Sequence, residues 1–88
     1  MKNIKMFVLD TCPYCKAALG WMEELYALDE RYKAIPIEII EEKKNAQIAD
    51  EYDYYYVPTY YIDEVKVHEG AASFDIVKEV FDTALGII

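Results

Sequence analysis

Apolar and polar positions change period several times along this chain, and each change marks an element. Ile4 to Leu9 is a short apolar run closed by Asp10, the pattern of a buried strand. From Pro13 to about Arg31 the period becomes helical, with Cys15, Ala18, Leu19, Met22, Leu25 and Tyr26 on one stripe and Trp21 on its flank. Ala34 to Ile40 returns to strand type, with Ile35, Ile37 and Ile39 on one face. Pro36 has no N–H for a ladder, so this strand belongs at a sheet edge. A polar stretch, Glu41 to Asn45, reads as a solvated face and leads into a short helix from about Asn45 to Tyr52.

The C-terminal half continues with a tyrosine-rich segment, Tyr52 to Ile62, whose composition suits half-buried strand surfaces and core filling. Thr59 to Ile62 and Val65 to His68 form a hairpin around Asp63-Glu64. Val65 and Val67 are expected to face one way, and Lys66 and a solvent-facing His68 the other. Gly70-Ala71-Ala72 is a turn, and Ser73 caps a last helix from about Phe74 to Leu85. Its stripe is Val77, Val80, Phe81, Ala84 and Leu85, and Gly86 can end it in a left-handed conformation. The order β-α-β-α-β-β-α predicts an α/β fold. Its first two strands are parallel through a right-handed crossover, and its last two form an antiparallel hairpin. Together they make a four-stranded mixed sheet flanked by three helices, in one domain over residues 1–88.

The chemistry lies at the junction of the first strand and first helix. Asp10-Thr11-Cys12-Pro13-Tyr14-Cys15-Lys16 holds both cysteines of the chain. Free N–H groups and the helix dipole place partial positive charge where a helix begins, which favours the thiolate of Cys12. Pro13 suits the first helical position, where an N–H would have no partner. Cys15 lies one turn on, within reach for a small disulfide, and begins the apolar stripe, so its sulfur faces the core. Lys16 adds positive potential and Asp10 opposes it. A C-x-x-C beside a βαβ pattern is a thiol redox signal.

Composition narrows the remaining classes. A net charge of −8 argues against nucleic acid and anionic membranes as partners. No apolar run approaches the ~18 residues of a membrane span, and Met6 to Leu9 is shorter than a signal h-region. The expectation is a cytoplasmic monomer in which a lone cysteine pair is catalytic or metal-binding. A zinc site needs four ligands, and one C-x-x-C with a distant His68 falls short within one chain. A shared interchain metal or iron–sulfur cluster and a redox-inert binding domain remain as alternatives.

Cys12-Pro13-Tyr14-Cys15, followed about forty residues later by Val57-Pro58-Thr59 opening a hairpin, resembles the glutaredoxins of the wider thioredoxin superfamily. The resemblance covers nearly the whole chain. It implies a thioredoxin-like fold and a dithiol–disulfide oxidoreductase in which Cys12 attacks and Cys15 resolves, with no bound cofactor. It further implies a cis bond before Pro58 and substrate contacts at Tyr56, Val57, Pro58, Thr59, Gly70 and Ala71. Thr11, Pro13, Tyr14 and Lys16 would form the active-site loop.

The positions that hold glutathione in that family depart from its pattern. Leu9 and Asp10 replace a cation, Tyr56 replaces a small residue, and Glu69-Gly70-Ala71-Ala72-Ser73-Phe74-Asp75 is closer to the opening of a thioredoxin's last helix. The resemblance therefore points to protein disulfides docking on Tyr14, Tyr54 and Tyr56, with a flavin-dependent dithiol reductase as electron donor and glutathione as the alternative.

Overall fold

The computed structural model describes residues 1–87. Strand β1 (Ile4–Val8) leads into helix α1 (Pro13–Leu28) and a one-turn helix α2 (Glu30–Lys33). Strand β2 (Ile37–Glu41), short helix α3 (Ala46–Ala49), the hairpin β3 (Thr59–Ile62) and β4 (Val65–Glu69), and helix α4 (Phe74–Leu85) complete the order. The sheet runs β2-β1-β3-β4, with β1 and β2 parallel and the other neighbours antiparallel.

The pleat of β1 divides the core in two. Ile4, Met6 and Val8 face α1 and α4, where Tyr60, Leu25, Val77 and Phe81 bury with them. Phe7 faces the other way and joins Ile40, Ala49 and Tyr61. That second face has little helix to cover it, because α3 spans one turn. Aromatic rings do the covering. Tyr52 and Tyr54 lie 4.8 and 4.9 Å from the Phe7 ring, and Tyr52 meets Tyr61 edge-on at 4.9 Å.

Several boundaries move for identifiable reasons. The first helix ends at Leu28 rather than near Arg31, because Asp29 adopts an extended conformation and starts α2. Its carboxylate accepts the Arg31 N–H at 2.9 Å and grips the Arg31 guanidinium at 2.7 Å. This is the competition with helical bonding that makes aspartate a capping residue. The second strand begins at Ile37 instead of Ala34, since Pro36 contributes only its carbonyl, which accepts the Ile4 N–H at 2.9 Å. It is an edge strand as expected, yet only the first part of its isoleucine face is covered: Ile35 is buried and Ile39 exposed. The short helix stops at Ala49, three residues early, where the chain turns to bring Tyr52 and Tyr54 onto Phe7.

The hairpin turn holds Asp63 and Glu64 at φ 46° and 72°. A bulge follows: Tyr60 pairs with His68 but Tyr61 with Lys66, leaving Val67 extra. The expected alternation therefore fails. Val67 and His68 together line a shallow cleft against α4, and His68 is half-buried rather than solvent-facing, its Nε2 lying 3.1 Å from the carbonyls of Gly70 and Ala71. Helix α4 keeps the predicted bounds. The Ser73 hydroxyl accepts the Ile76 N–H, and Gly86 closes the helix at φ 90°.

Candidate functional site

Cys12 is the N-cap of α1 and Pro13 its first residue; the Cys12 carbonyl accepts the Lys16 N–H at 3.2 Å. The two sulfurs, both free thiols, have unlike surroundings. Cys12 is half-exposed at the helix start. Cys15 is 1% exposed, packed in the core beneath it. Burial pushes the Cys15 thiol up to about 12; a backbone hydrogen bond from Leu9 pulls the other way, and the neighbouring Cys12 adds to the rise. Thr11, Pro13, Tyr14 and Lys16 are all exposed around the pair.

The tyrosine-rich loop brings the second half of the site. The Val57–Pro58 peptide is cis, and the Cys12 Sγ lies 3.8 Å from the Val57 carbonyl oxygen. Pro58 and Thr59 are buried. The buried Thr59 side chain reaches the site through its hydroxyl, which donates to the Tyr56 carbonyl. Gly70, at φ 96°, donates its N–H to the Pro58 carbonyl at 2.8 Å. A Cβ at Gly70 would meet the Tyr56 Cβ at 3.8 Å, so the Gly70 turn lies directly against Tyr56. Ala71 is exposed at the end of the same turn.

The expected aromatic trio separates. Tyr14 and Tyr56 are exposed, 58% and 70%. Tyr54 instead stacks on Phe7, and its hydroxyl donates to Glu42 at 2.6 Å. Burial and the Glu42 bond both push its phenol upward. Tyr54 thus belongs to the second core, because its ring gains more from covering the sheet than from facing solvent.

Two carboxylates organise the site that the sequence pattern does not single out. Glu41 accepts the Asp10 N–H at 2.9 Å through Oε2, and the Lys43 and Lys44 N–H groups at 2.7 and 3.1 Å through Oε1. These backbone donors, Asp10 foremost, hold its carboxyl below the usual range. Glu41 therefore fastens the loop ahead of Cys12 to the end of β2, where a merely solvated charge is expected. The Asp10 carboxylate in turn pairs with Lys44 at 3.2 Å. Glu69 accepts the Tyr55 and Tyr56 N–H groups at 2.6 and 3.0 Å, both through Oε2. A polar residue ending a strand carries no signal of such bonding in sequence. Among the described residues, no three His, Cys, Asp or Glu side chains converge into a set that could hold a metal ion.

Residues 2–82 fit the thioredoxin domain model. The chain belongs to the thioredoxin domain family. Its family match is to the thioredoxin domain, and the glutaredoxin subtype suggested by Cys12-Pro13-Tyr14-Cys15 is not what the match identifies. Among solved structures, this thioredoxin domain is similar to a mutant thioredoxin from Halobacterium salinarum NRC-1, with TM-score 0.69 and 22% identity over 96% of this chain and 74% of that one. Comparison with curated proteins returns no match. The four-stranded mixed sheet and its helices are those of a thioredoxin-like fold.

Proposed function

We propose that this thioredoxin domain is a dithiol–disulfide oxidoreductase acting on protein disulfides. The observation that carries the reading is the asymmetry of the two sulfurs: Cys12 accessible at a helix start, Cys15 buried and pushed up to about 12. Cys12, as thiolate, attacks one sulfur of the substrate disulfide. A Cys12–substrate disulfide forms, and the other substrate sulfur leaves with the electron pair and takes up a proton. Cys15 then loses its proton and attacks Cys12 Sγ. The mixed disulfide breaks, the Cys12–Cys15 disulfide forms, and the second substrate thiol is released. Two electrons pass from the dithiol to the substrate. An extended substrate segment would pair with the backbone of Val57, whose carbonyl oxygen lies 3.8 Å from Cys12 Sγ.

A flavin-dependent dithiol reductase is the proposed electron donor, with glutathione the weaker one. Leu9 and Asp10 offer no cation for a glycine carboxylate, and Lys44 is already paired with Asp10. Tyr56 stands over the Gly70 turn, where glutathione would need close backbone approach. The exposed rings of Tyr14, Tyr55 and Tyr56 suit a polypeptide partner, since tyrosine offers large contact area at low entropic loss. Side-by-side turnover with a flavin-dependent reductase and with glutathione tests this. Efficient turnover with the flavoenzyme is the expected result. Glutathione-driven reduction of a small mixed disulfide, with none by the flavoenzyme, would return the chain to the ordinary glutaredoxins.

A further inference from the structure

The segment that faces Cys12 is held from both sides by side chains outside the cysteine motif. On one side the Thr59 hydroxyl donates to the Tyr56 carbonyl. On the other, a single oxygen of Glu69 accepts two successive backbone N–H groups, of Tyr55 at 2.6 Å and Tyr56 at 3.0 Å. The second Glu69 oxygen takes Lys66 Nζ at 2.7 Å, and that ammonium also donates to the Asp53 carbonyl at 3.1 Å. Glu69 ends β4 and precedes Gly70, whose N–H holds the Pro58 carbonyl. The carboxylate thus ties the last residue of the hairpin to the two residues ahead of Val57.

Packing does not do this work. Tyr55 and Tyr56 are 86% and 70% exposed, so burial of their rings does not fix their backbone. The polar clamp and the Gly70 turn against Tyr56 are what remain. An acidic residue suits this place: the Lys66 ammonium and the Tyr55 and Tyr56 N–H groups converge on it, and together they hold its carboxyl down to about 2.

We propose that Glu69 is a positioning residue for disulfide exchange, fixing the Tyr55–Tyr56 backbone so that Val57 meets an extended polypeptide substrate beside Cys12. This rests on the oxidoreductase reading above. It adds a determinant that selects polypeptide over small disulfides, because a small disulfide needs Cys12 but not the ordered strand edge.

The test compares wild type, Glu69→Gln and Glu69→Ala. Gln can keep one carbonyl oxygen for both amides, whereas Ala removes the acceptor. With a disulfide-bonded peptide as substrate, Glu69→Ala should raise KM about tenfold with kcat little changed, the signature of lost uniform substrate binding. Glu69→Gln should stay near wild type. Reduction of a small aromatic disulfide should be unaffected in both. Equal KM in all three, or equal impairment of Gln and Ala, overturns the proposal, the latter by assigning the effect to the Lys66 ion pair.

Amide hydrogen exchange at neutral pH gives an arm independent of turnover. The Tyr55 and Tyr56 amides should be protected in wild type and Glu69→Gln, and unprotected in Glu69→Ala. Unprotected amides in wild type overturn the clamp even if the enzyme is active. Protected amides in a protein that reduces no disulfide leave the clamp standing and overturn the oxidoreductase reading instead. Should Glu69→Ala fail to fold, the wild-type amides and Glu69→Gln still decide.

Discussion

The Tyr32 hydroxyl donates a 2.5 Å hydrogen bond to Asp82 Oδ1, joining α2 to α4 across fifty residues of chain. Both residues are buried, and Lys78 completes the group at 2.8 Å from Asp82 Oδ2. Burial opposes ionisation of Asp82, but Lys78 and Tyr32 outweigh it and hold the carboxyl below its usual range.

Tyr32→Phe should accordingly lose about 1.5–3 kcal/mol, the worth of a hydrogen bond to a charged acceptor, measured by urea unfolding. The loss should depend on pH. The unfolded carboxyl titrates near 3.8 and the folded one lower, so the contribution is complete above that value and disappears as pH falls through the folded one. The gap between wild type and Asp82→Asn should therefore close in acid. A gap unchanged from pH 6 down to pH 2 would contradict the pairing.

Alkylation should distinguish the two thiols. Iodoacetamide at neutral pH should modify Cys12 alone in the folded, reduced protein, because Cys15 is buried and pushed up to about 12. Cys15→Ser should accumulate a mixed disulfide with a protein substrate, and Cys12→Ser should accumulate none. Peptide mapping that finds Cys15 labelled first would reverse the two roles.

High pH should destabilise the reduced fold. Cys15 has a reference value of 9.0 and rises to about 12 on folding, so between these values the unfolded chain has released a proton that the folded one keeps. The unfolded state binds fewer protons there, and stability falls as pH rises. Tyr60 and Tyr54, both raised chiefly by burial, act in the same direction above about pH 10. Cys15→Ala should flatten the first part of this decline in thermal melts taken from pH 8 to 11.

Gly70→Ala and Gly86→Ala should each cost about 1–2 kcal/mol, since both glycines sit at positive φ and the Cβ penalty there is conformational. Neither added Cβ meets an atom closer than 3.8 Å, so crowding is not the cause. Only Gly70→Ala should also reduce turnover, because relief of the strain at φ 96° displaces the backbone N–H that holds the Pro58 carbonyl. Equal activity of the two variants would show that the turn at residue 70 takes up the strain without moving the site.

Removal of the Phe7 ring should weaken the thinly covered face of the sheet. Tyr52, Tyr54 and Tyr61 all pack on it, and Phe7 is fully buried. Phe7→Ala should lose about 3–5 kcal/mol in chemical unfolding. A loss below about 1 kcal/mol would mean that the tyrosines close over the gap.

Local chemistry and periodicity were enough to place the frame of this protein. The helical stripe from Cys15 to Tyr26 put one sulfur in the core and left Cys12 at the helix start, because a 3.6-residue period assigns faces without reference to the rest of the chain. Pro36 marked the edge strand, and Ser73 and Gly86 marked both ends of α4, since each acts through its own backbone. Tertiary structure decided what depends on meeting a distant partner. The bulge opposite Tyr60 and Tyr61 set where His68 points. Phe7 drew Tyr54 away from the site into the second core. Glu41 and Glu69 became loop clamps only because folding brought backbone N–H groups from Asp10 and from Tyr55 and Tyr56 to their carboxylates. A charged residue looks the same in sequence whether it meets water or an amide 31 or 14 residues away, and only the fold makes that difference.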